Sequence, residues 1–368
     1  MRIAYVCKRQ YMRKDVIIDR YARLYEQPRQ LALRGHDVLG LCLSYRPTSE
    51  RDELHEAAPG RLRWLGFAPQ GMAGILAYPR RAEAALRAFA PDIVVAASDC
   101  PHVVLGEWLA RRLGVPLAVD LYDDFETFGL AKIPGLRLLY RRALRRAAVV
   151  SCVSEWLARR VREDCRADGE VIALPSTIDR AVFRPMDRTA CRANLGLPAD
   201  ARLIGTAGGL HRDKGIVPLY EAFASLSQQD PDVHLVLAGG IGPDCPPPAG
   251  PNVHYLGELP HARTAELFNA LDVGVVYLRD TPYGRASFPQ KIYEMAACGL
   301  PLAVARVGAM DDMLGHAPFS LYQPDDAVSL ASCVAAQLAD PRHANIEIRD
   351  WSSLADDMER AYRGAMQI

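Results

Sequence analysis

With 368 residues, half of them hydrophobic, the chain is too long for one typical core, and two domains are expected. Its 44 basic and 44 acidic side chains cancel, which argues against a strongly basic nucleic-acid binder. Nine scattered cysteines, without a C-x-x-C pair, read as reduced thiols rather than a disulfide framework or zinc site. The sequence opens directly on a strand, MRIAYVCKRQ, so no signal peptide is expected, and no apolar run is long enough to span a bilayer. These features together point to a cytoplasmic protein.

The first half alternates short apolar runs with helical patterns. Residues 2–7 are predicted as a strand and 20–33 as a helix. RGHDV then turns the chain into a strand at 38–44. Further strands are expected at 62–67, 92–97 (DIVVAA), 116–121 (PLAVDL), 148–153 and 169–174. Helical periodicity marks 73–90, 102–113, 135–147 and 154–165, the last capped by Ser154. Such alternation implies a parallel sheet with helices on both faces. PSTIDRAVFRP, with proline at both ends and little periodicity, reads as the linker.

The alternation then restarts. Strands are expected at 202–207, 233–238, 253–256 and 273–277, with an edge strand at 319–322. Helices are expected at 216–226, 261–271, 328–338 and 351–366. The domains are therefore drawn as 1–178 together with a terminal helix at 349–368, and 179–348. Ligands of open parallel sheets bind beyond the carboxyl ends of the strands, here in a central cleft between the two domains.

Residues 287–304, SFPQKIYEMAACGLPLAV, carry the densest signals. Ser287 and Gln290 have the spacing of a capping box, and Pro289 falls in a first helical turn. Gly299 is placed as the C-terminal cap and Pro301 as the stop. Phe288, Ile292, Met295, Ala296 and Gly299 would form the buried side, with Gln290, Lys291, Glu294 and Cys298 on another face. An ammonium and a carboxylate would thus leave the open end of a helix, where free N–H groups attract phosphate. The competing reading is an ordinary surface helix with a Lys–Glu pair.

A second candidate is TAGGLHRDKGI, residues 206–216, between a strand and a helix. Gly208 and Gly209 permit close backbone approach, and Arg212 and Lys214 supply positive charge for a diphosphate. It is neither a Walker loop nor G-x-G-x-x-G. In the first half, DLYDDFETFG places Asp120, Asp123, Asp124 and Glu126 after a buried strand. They would orient an acceptor hydroxyl or the transferring sugar, or else form a solvated loop. Asp19 and Arg20 are a further cleft candidate. His102, His211 and His261 stand at element starts and read as caps or surface residues. In LRLLYRRALRRAA, Arg137, Arg141 and Arg145 line one face, with Arg142 and Arg146 beside it, while Leu136, Leu139, Tyr140, Ala143 and Leu144 make an apolar stripe. This helix, 136–148, would either pack on the core with a solvated arginine face or touch an anionic membrane.

The order of motifs in the second half resembles the family 4 glycosyltransferases of the GT-B fold. PSTIDRAVFRP, GGLHRDKG, LVLAGG, GELPHARTAELFNALDVGV and FPQKIYEMAACGLPLAV stand in the family's sequence, across residues 175–305. RGHDV near the start and Trp351 near the end are consistent with it. The resemblance implies two Rossmann-like αβα domains facing a central cleft, with the final helix crossing back to the N-terminal domain. It also implies transfer of a sugar from a nucleotide-diphosphate donor to an acceptor hydroxyl, with retention of anomeric configuration. The acceptor would be a saccharide, a lipid-linked sugar or a small molecule, and neither metal nor cofactor is expected.

Carried over by position, Glu294 resembles the glutamate that holds the donor ribose, and Lys214 the lysine on the donor phosphates. Residues Ser287, Phe288, Pro289, Gln290 and Lys291 resemble the turn that contacts the diphosphate through its backbone. Asp123, Arg212, Lys214 and Glu294 are the catalytic candidates, and Gly208 and Gly209 join the donor-binding set. The sequence departs from the family at three places. Ala286 replaces the earlier glutamate of E-x7-E, Gly209 replaces the usual arginine, and KRQYMRKDVI replaces the Gly-rich loop after the first strand. Two alternatives stay open: a GT-B sugar-nucleotide epimerase, and a non-catalytic partner subunit.

Overall fold

Five consecutive side chains of the first strand, Ile3 to Cys7, are buried, the pattern of a strand covered on both faces. The computed structural model describes residues 1–11, 14–69 and 71–367. It divides the chain into two units, Met1–Ser176 with Arg349–Ile368, and Thr177–Ile348.

In the first unit the strands are β1 (Arg2–Lys8), β2 (Gln10–Tyr11), β3 (Lys14–Asp15), β4 (Asp37–Leu43), β5 (Arg51–His55), β6 (Arg61–Phe67), β7 (Ile93–Ala97), β8 (Leu117–Leu121), β9 (Val149–Cys152) and β10 (Glu170–Ala173). Eight of them form one sheet in the order β10-β9-β8-β7-β1-β4-β6-β5. All neighbours are parallel except β5, which runs antiparallel along β6 at the edge. No strand was expected at β5, because RDELH lacks an apolar run and four of its five residues stay at least partly exposed. Where the family's Gly-rich loop would lie, β2 and β3 pair as a small antiparallel ribbon. Met12 and Arg13 of that stretch lie outside the described residues.

The terminal helix Trp351–Met366 belongs to this unit. Asp350 caps it by accepting from the Ser353 N–H at 2.7 Å. Its buried residues Leu354, Ala355, Met358, Ala361 and Tyr362 recur at helical spacing. They join the core made by β1, β4 and helix Arg23–Leu33.

The second unit has β11 (Arg202–Ala207), β12 (Val233–Ala238), β13 (Val253–Tyr255), β14 (Val273–Val276), β15 (Leu302–Ala305) and β16 (Leu321–Tyr322). They form a parallel sheet in the order β13-β12-β11-β14-β15-β16. Helices Val217–Gln229 and Ala327–Ala339 pack together over one face, closing a core around Leu235, Leu237, Val273 and Val275. Among the described residues no helix is long and apolar enough to cross a membrane.

Candidate functional site

In the second unit the loops after β11, β12 and β14 leave the same edge of the sheet, where the chain narrows to glycine. Gly208 has φ +125° and Gly239 φ +121°, and a Cβ on Gly239 would lie 1.9 Å from the Gly208 carbonyl oxygen. Only glycine allows both that backbone conformation and that approach. The resulting bare backbone faces two ammonium groups. A Cβ on Gly208 would come 3.0 Å from Lys291 Nζ, and one on Gly209 3.0 Å from Lys214 Nζ.

Tyr277, just past β14, braces this cluster. Its hydroxyl donates to the Gly209 carbonyl at 2.8 Å, and Lys291 Nζ lies 5.2 Å from its ring centroid. Burial lowers the Lys291 amine to about 8, Lys214 adding repulsion and Glu294 opposing both. Burial raises the Glu294 carboxyl to about 7, with Lys291 opposing. Among the described residues no carboxylate comes within ion-pair distance of Lys214 or Lys291. Arg212 is exposed in the turn Arg212–Lys214. The two ammonium groups at this edge therefore stand without an ion-pair partner among the described residues.

The turn into helix Lys291–Ala297 corrects one expectation. Ser287 and Gln290 make no capping box. Two short helices share this turn, and Ser287 closes the first of them, Pro282–Ala286, with its Oγ donating to the Tyr283 carbonyl at 2.8 Å. Gln290 occupies the N-cap position of the second in a helical conformation, and its Nε2 donates to the Thr177 carbonyl at 2.8 Å. Among the described residues the backbone N–H groups of Phe288, Gln290 and Lys291 make no hydrogen bond. They remain available to an anion. Ile292 and Met295 are fully buried. Phe288 and Ala296 are only partly so, and Cys298, expected on the open face, is buried. Gly299 ends the helix at φ +72°, with Leu300 N–H bonded to the Met295 carbonyl. At this far end a cavity of about 440 Å³ is lined by Ala296, Ala297, Arg180 and His343, and it shares no residue with the glycine–lysine cluster.

Three neighbours join this edge that were not among the site candidates, although His211 lies inside the 206–216 motif. Tyr277 is one. His211 would press on a Cβ at Gly209 or Gly242, each at 2.8 Å, and Glu258 Oε1 lies 3.0 Å from where a Gly240 Cβ would stand. A GE pair directly after a short strand was the only hint for Glu258.

The acidic loop of the first unit behaves differently. Asp120, expected to face ligand, is fully buried and bidentate to Arg23, at 2.8 and 2.6 Å. Ser151 Oγ donates to it at 2.6 Å, and Arg23 also donates to the Leu174 carbonyl. Asp124 pairs with Arg160 and caps the turn Phe125–Thr127. Glu126 is held by Arg141 at 2.5 Å and Arg137 at 3.0 Å. These three therefore serve structure rather than an acceptor. Arg137 and Arg141 accordingly pair with Glu126 from a face that stays open to solvent.

Asp123 alone of the four has no ion-pair partner among the described residues. Burial pushes its carboxyl to about 7, although the Asp124 N–H, at 2.8 Å, and nearby Lys8 pull it down. His102, expected as a cap or surface residue, is buried instead. Its Nδ1 lies 2.7 Å from Asp99, whose other oxygen accepts from Tyr45 at 2.9 Å. Asp19 accepts from the Asp15 N–H at 2.6 Å, within the turn before the first helix.

Two family models match. The Glycosyl transferase 4-like domain covers residues 22–176, and Glycosyl transferases group 1 covers residues 201–340. A D-inositol 3-phosphate glycosyltransferase of Nocardiopsis dassonvillei is 29% identical over 294 residues, 69% of this chain and 66% of that relative. The chain thus spans about two thirds of that relative's length. Among solved structures, sucrose-phosphate synthase from Thermosynechococcus elongatus superposes with a TM-score of 0.70 at 18% identity, covering 100% of this chain and 99% of that one. Anabaena HepE, crystallised with UDP, gives 0.66 at 16% identity, covering 100% and 98%. With both halves matched in order and the two parallel-sheet units in place, the chain belongs to the family 4 glycosyltransferases, enzymes of the GT-B fold.

Proposed function

We propose that this chain moves a sugar from a nucleotide-diphosphate donor to an acceptor hydroxyl with retention of configuration, and that its second unit holds the donor. The observation that carries the reading is the pair of ammonium groups at that edge. Lys214 and Lys291 converge on the bare backbone of Gly208 and Gly209, and Lys291 follows a turn in which three N–H groups have no partner among the described residues. Such a site suits a diphosphate. Glu294, one turn further along its helix, would accept from ribose hydroxyls.

As the bond between the anomeric carbon and the phosphate oxygen breaks, its electron pair goes to that oxygen. Lys214, Lys291 and Arg212 would stabilise the charge that develops there. The acceptor oxygen forms the new glycosidic bond, and its proton passes to the departing phosphate oxygen. Asp123 would accept a hydrogen bond from the acceptor and orient it. Such donors are cytoplasmic metabolites, and the free, mostly buried cysteines fit that compartment.

Thermal denaturation with UDP, GDP, ADP, TDP and CMP, each with its common sugars, tests the donor site. A ligand of the native state raises the midpoint by mass action. A selective rise with one diphosphate, followed by sugar transfer to an acceptor pool, is expected. No rise with any nucleotide, release of a free epimer, or binding without turnover would overturn the reading.

A further inference from the structure

Helix Leu136–Arg146 and the turn before it form a surface that neither the core nor the proposed donor site uses. Tyr140, Ala143 and Leu144 are buried, and Arg137 and Arg141 turn to Glu126. The opposite face shows Leu138, 73% exposed, followed by Arg142 and Arg145 at i+4 and i+7. Leu139, expected in the buried stripe, is 47% exposed. Turn Gly129–Lys132 packs against this helix and adds exposed Leu130, with Phe128 and Ile133 on either side.

Charge selects what covers these apolar groups. Residues 127–146 carry six cations and no acid, in a chain whose total charge is zero. Lys132, Arg142 and Arg145 have no ion-pair partner among the described residues. A second apolar segment leaves the same edge of the sheet. Helix Gly71–Phe89 begins with seven residues, GMAGILA, that have no polar side chain, and Met72, Ile75 and Leu76 are exposed. It follows β6 as the first segment follows β8. Both strands run parallel to β1, four strand spacings apart, or about 19 Å.

We propose that this edge of the first unit docks on an anionic lipid bilayer. Leu130, Ile133, Leu138 and Leu139 enter the headgroup boundary, while Lys132, Arg142 and Arg145 meet acidic headgroups. The proposal goes beyond the donor reading and does not depend on it.

Flotation of the whole chain with phosphatidylcholine vesicles, with and without phosphatidylglycerol, tests it. Binding to the acidic vesicles alone, weakened by salt, is expected. The double variant Arg142→Glu, Arg145→Glu should lose at least ~25-fold in vesicle affinity. Leu138→Ser with Leu139→Ser should also release the protein, and both double variants should keep the wild-type midpoint in thermal denaturation, which shows that they fold. Equal binding to neutral vesicles, no binding at all, or light scattering that shows these residues joining two copies of the chain would overturn the proposal.

Discussion

The strand ends of the two units carry opposite lessons about charge. In the first unit Asp120, Asp124 and Glu126 are each met by arginine, and the acidic loop is mostly neutral scaffold. In the second, Lys214 and Lys291 face bare glycine backbone with no carboxylate in ion-pair reach among the described residues. Compensated charge builds the unit, and uncompensated charge waits for a ligand. Asp123 is the exception in that loop, and its lack of an ion-pair partner among the described residues is why it alone of the four is retained as an acceptor-side candidate.

The comparison breaks most sharply at Asp120. Asp120→Ala strands the buried Arg23 guanidinium and should cost about 3–5 kcal/mol, measured by chemical denaturation. Asp123→Asn removes a carboxyl that burial holds high, so it should not lower stability, but it should lower kcat by roughly 100-fold with donor affinity intact. An equal stability loss at both positions would erase the distinction between scaffold and site.

The pH dependence sharpens the other side. With Lys291 near 8, diphosphate affinity should fall several-fold as pH rises through that value and the ammonium is lost. The sign for the free protein is opposite. Between about 8 and the amine's ordinary value of 10.5, the unfolded chain binds more protons, so Lys291 makes stability rise with pH. Glu294 makes stability fall between its ordinary 4.5 and about 7, where the folded state holds the extra proton. Calorimetry across pH, with Lys291→Ala as control, separates these trends. The smallest effect is expected at Ser287→Ala, within about 0.5 kcal/mol, because the hydroxyl only closes an exposed turn. A loss nearer 1–2 kcal/mol would restore the capping box as a real contributor.

Much of the architecture was legible because parallel strands buried on both faces leave continuous apolar runs, as in DIVVAA and PLAVDL. The polar edge strand β5 left no such run. Positions of Gly208, Lys214, Lys291 and Glu294 stood out as motifs near helix starts. Pairing did not. Arg23 lies 97 residues from Asp120, and no local pattern announces that bond. The cap at Ser287 was misread for a related reason. The spacing to Gln290 is right, but a preceding helix, unsignalled beyond Thr281 and Pro282, had already claimed the side chain. Tyr277 and Glu258 join the edge only through the fold.

The most direct test is calorimetric titration of the nucleoside diphosphate that the thermal panel selects into the native chain and into Lys291→Ala. The central claim is that the second unit's uncompensated ammonium groups hold the diphosphate. It predicts saturable binding by the native chain and an affinity roughly 10- to 100-fold weaker in the variant. Equal affinity in the two proteins would place the diphosphate elsewhere and contradict the account.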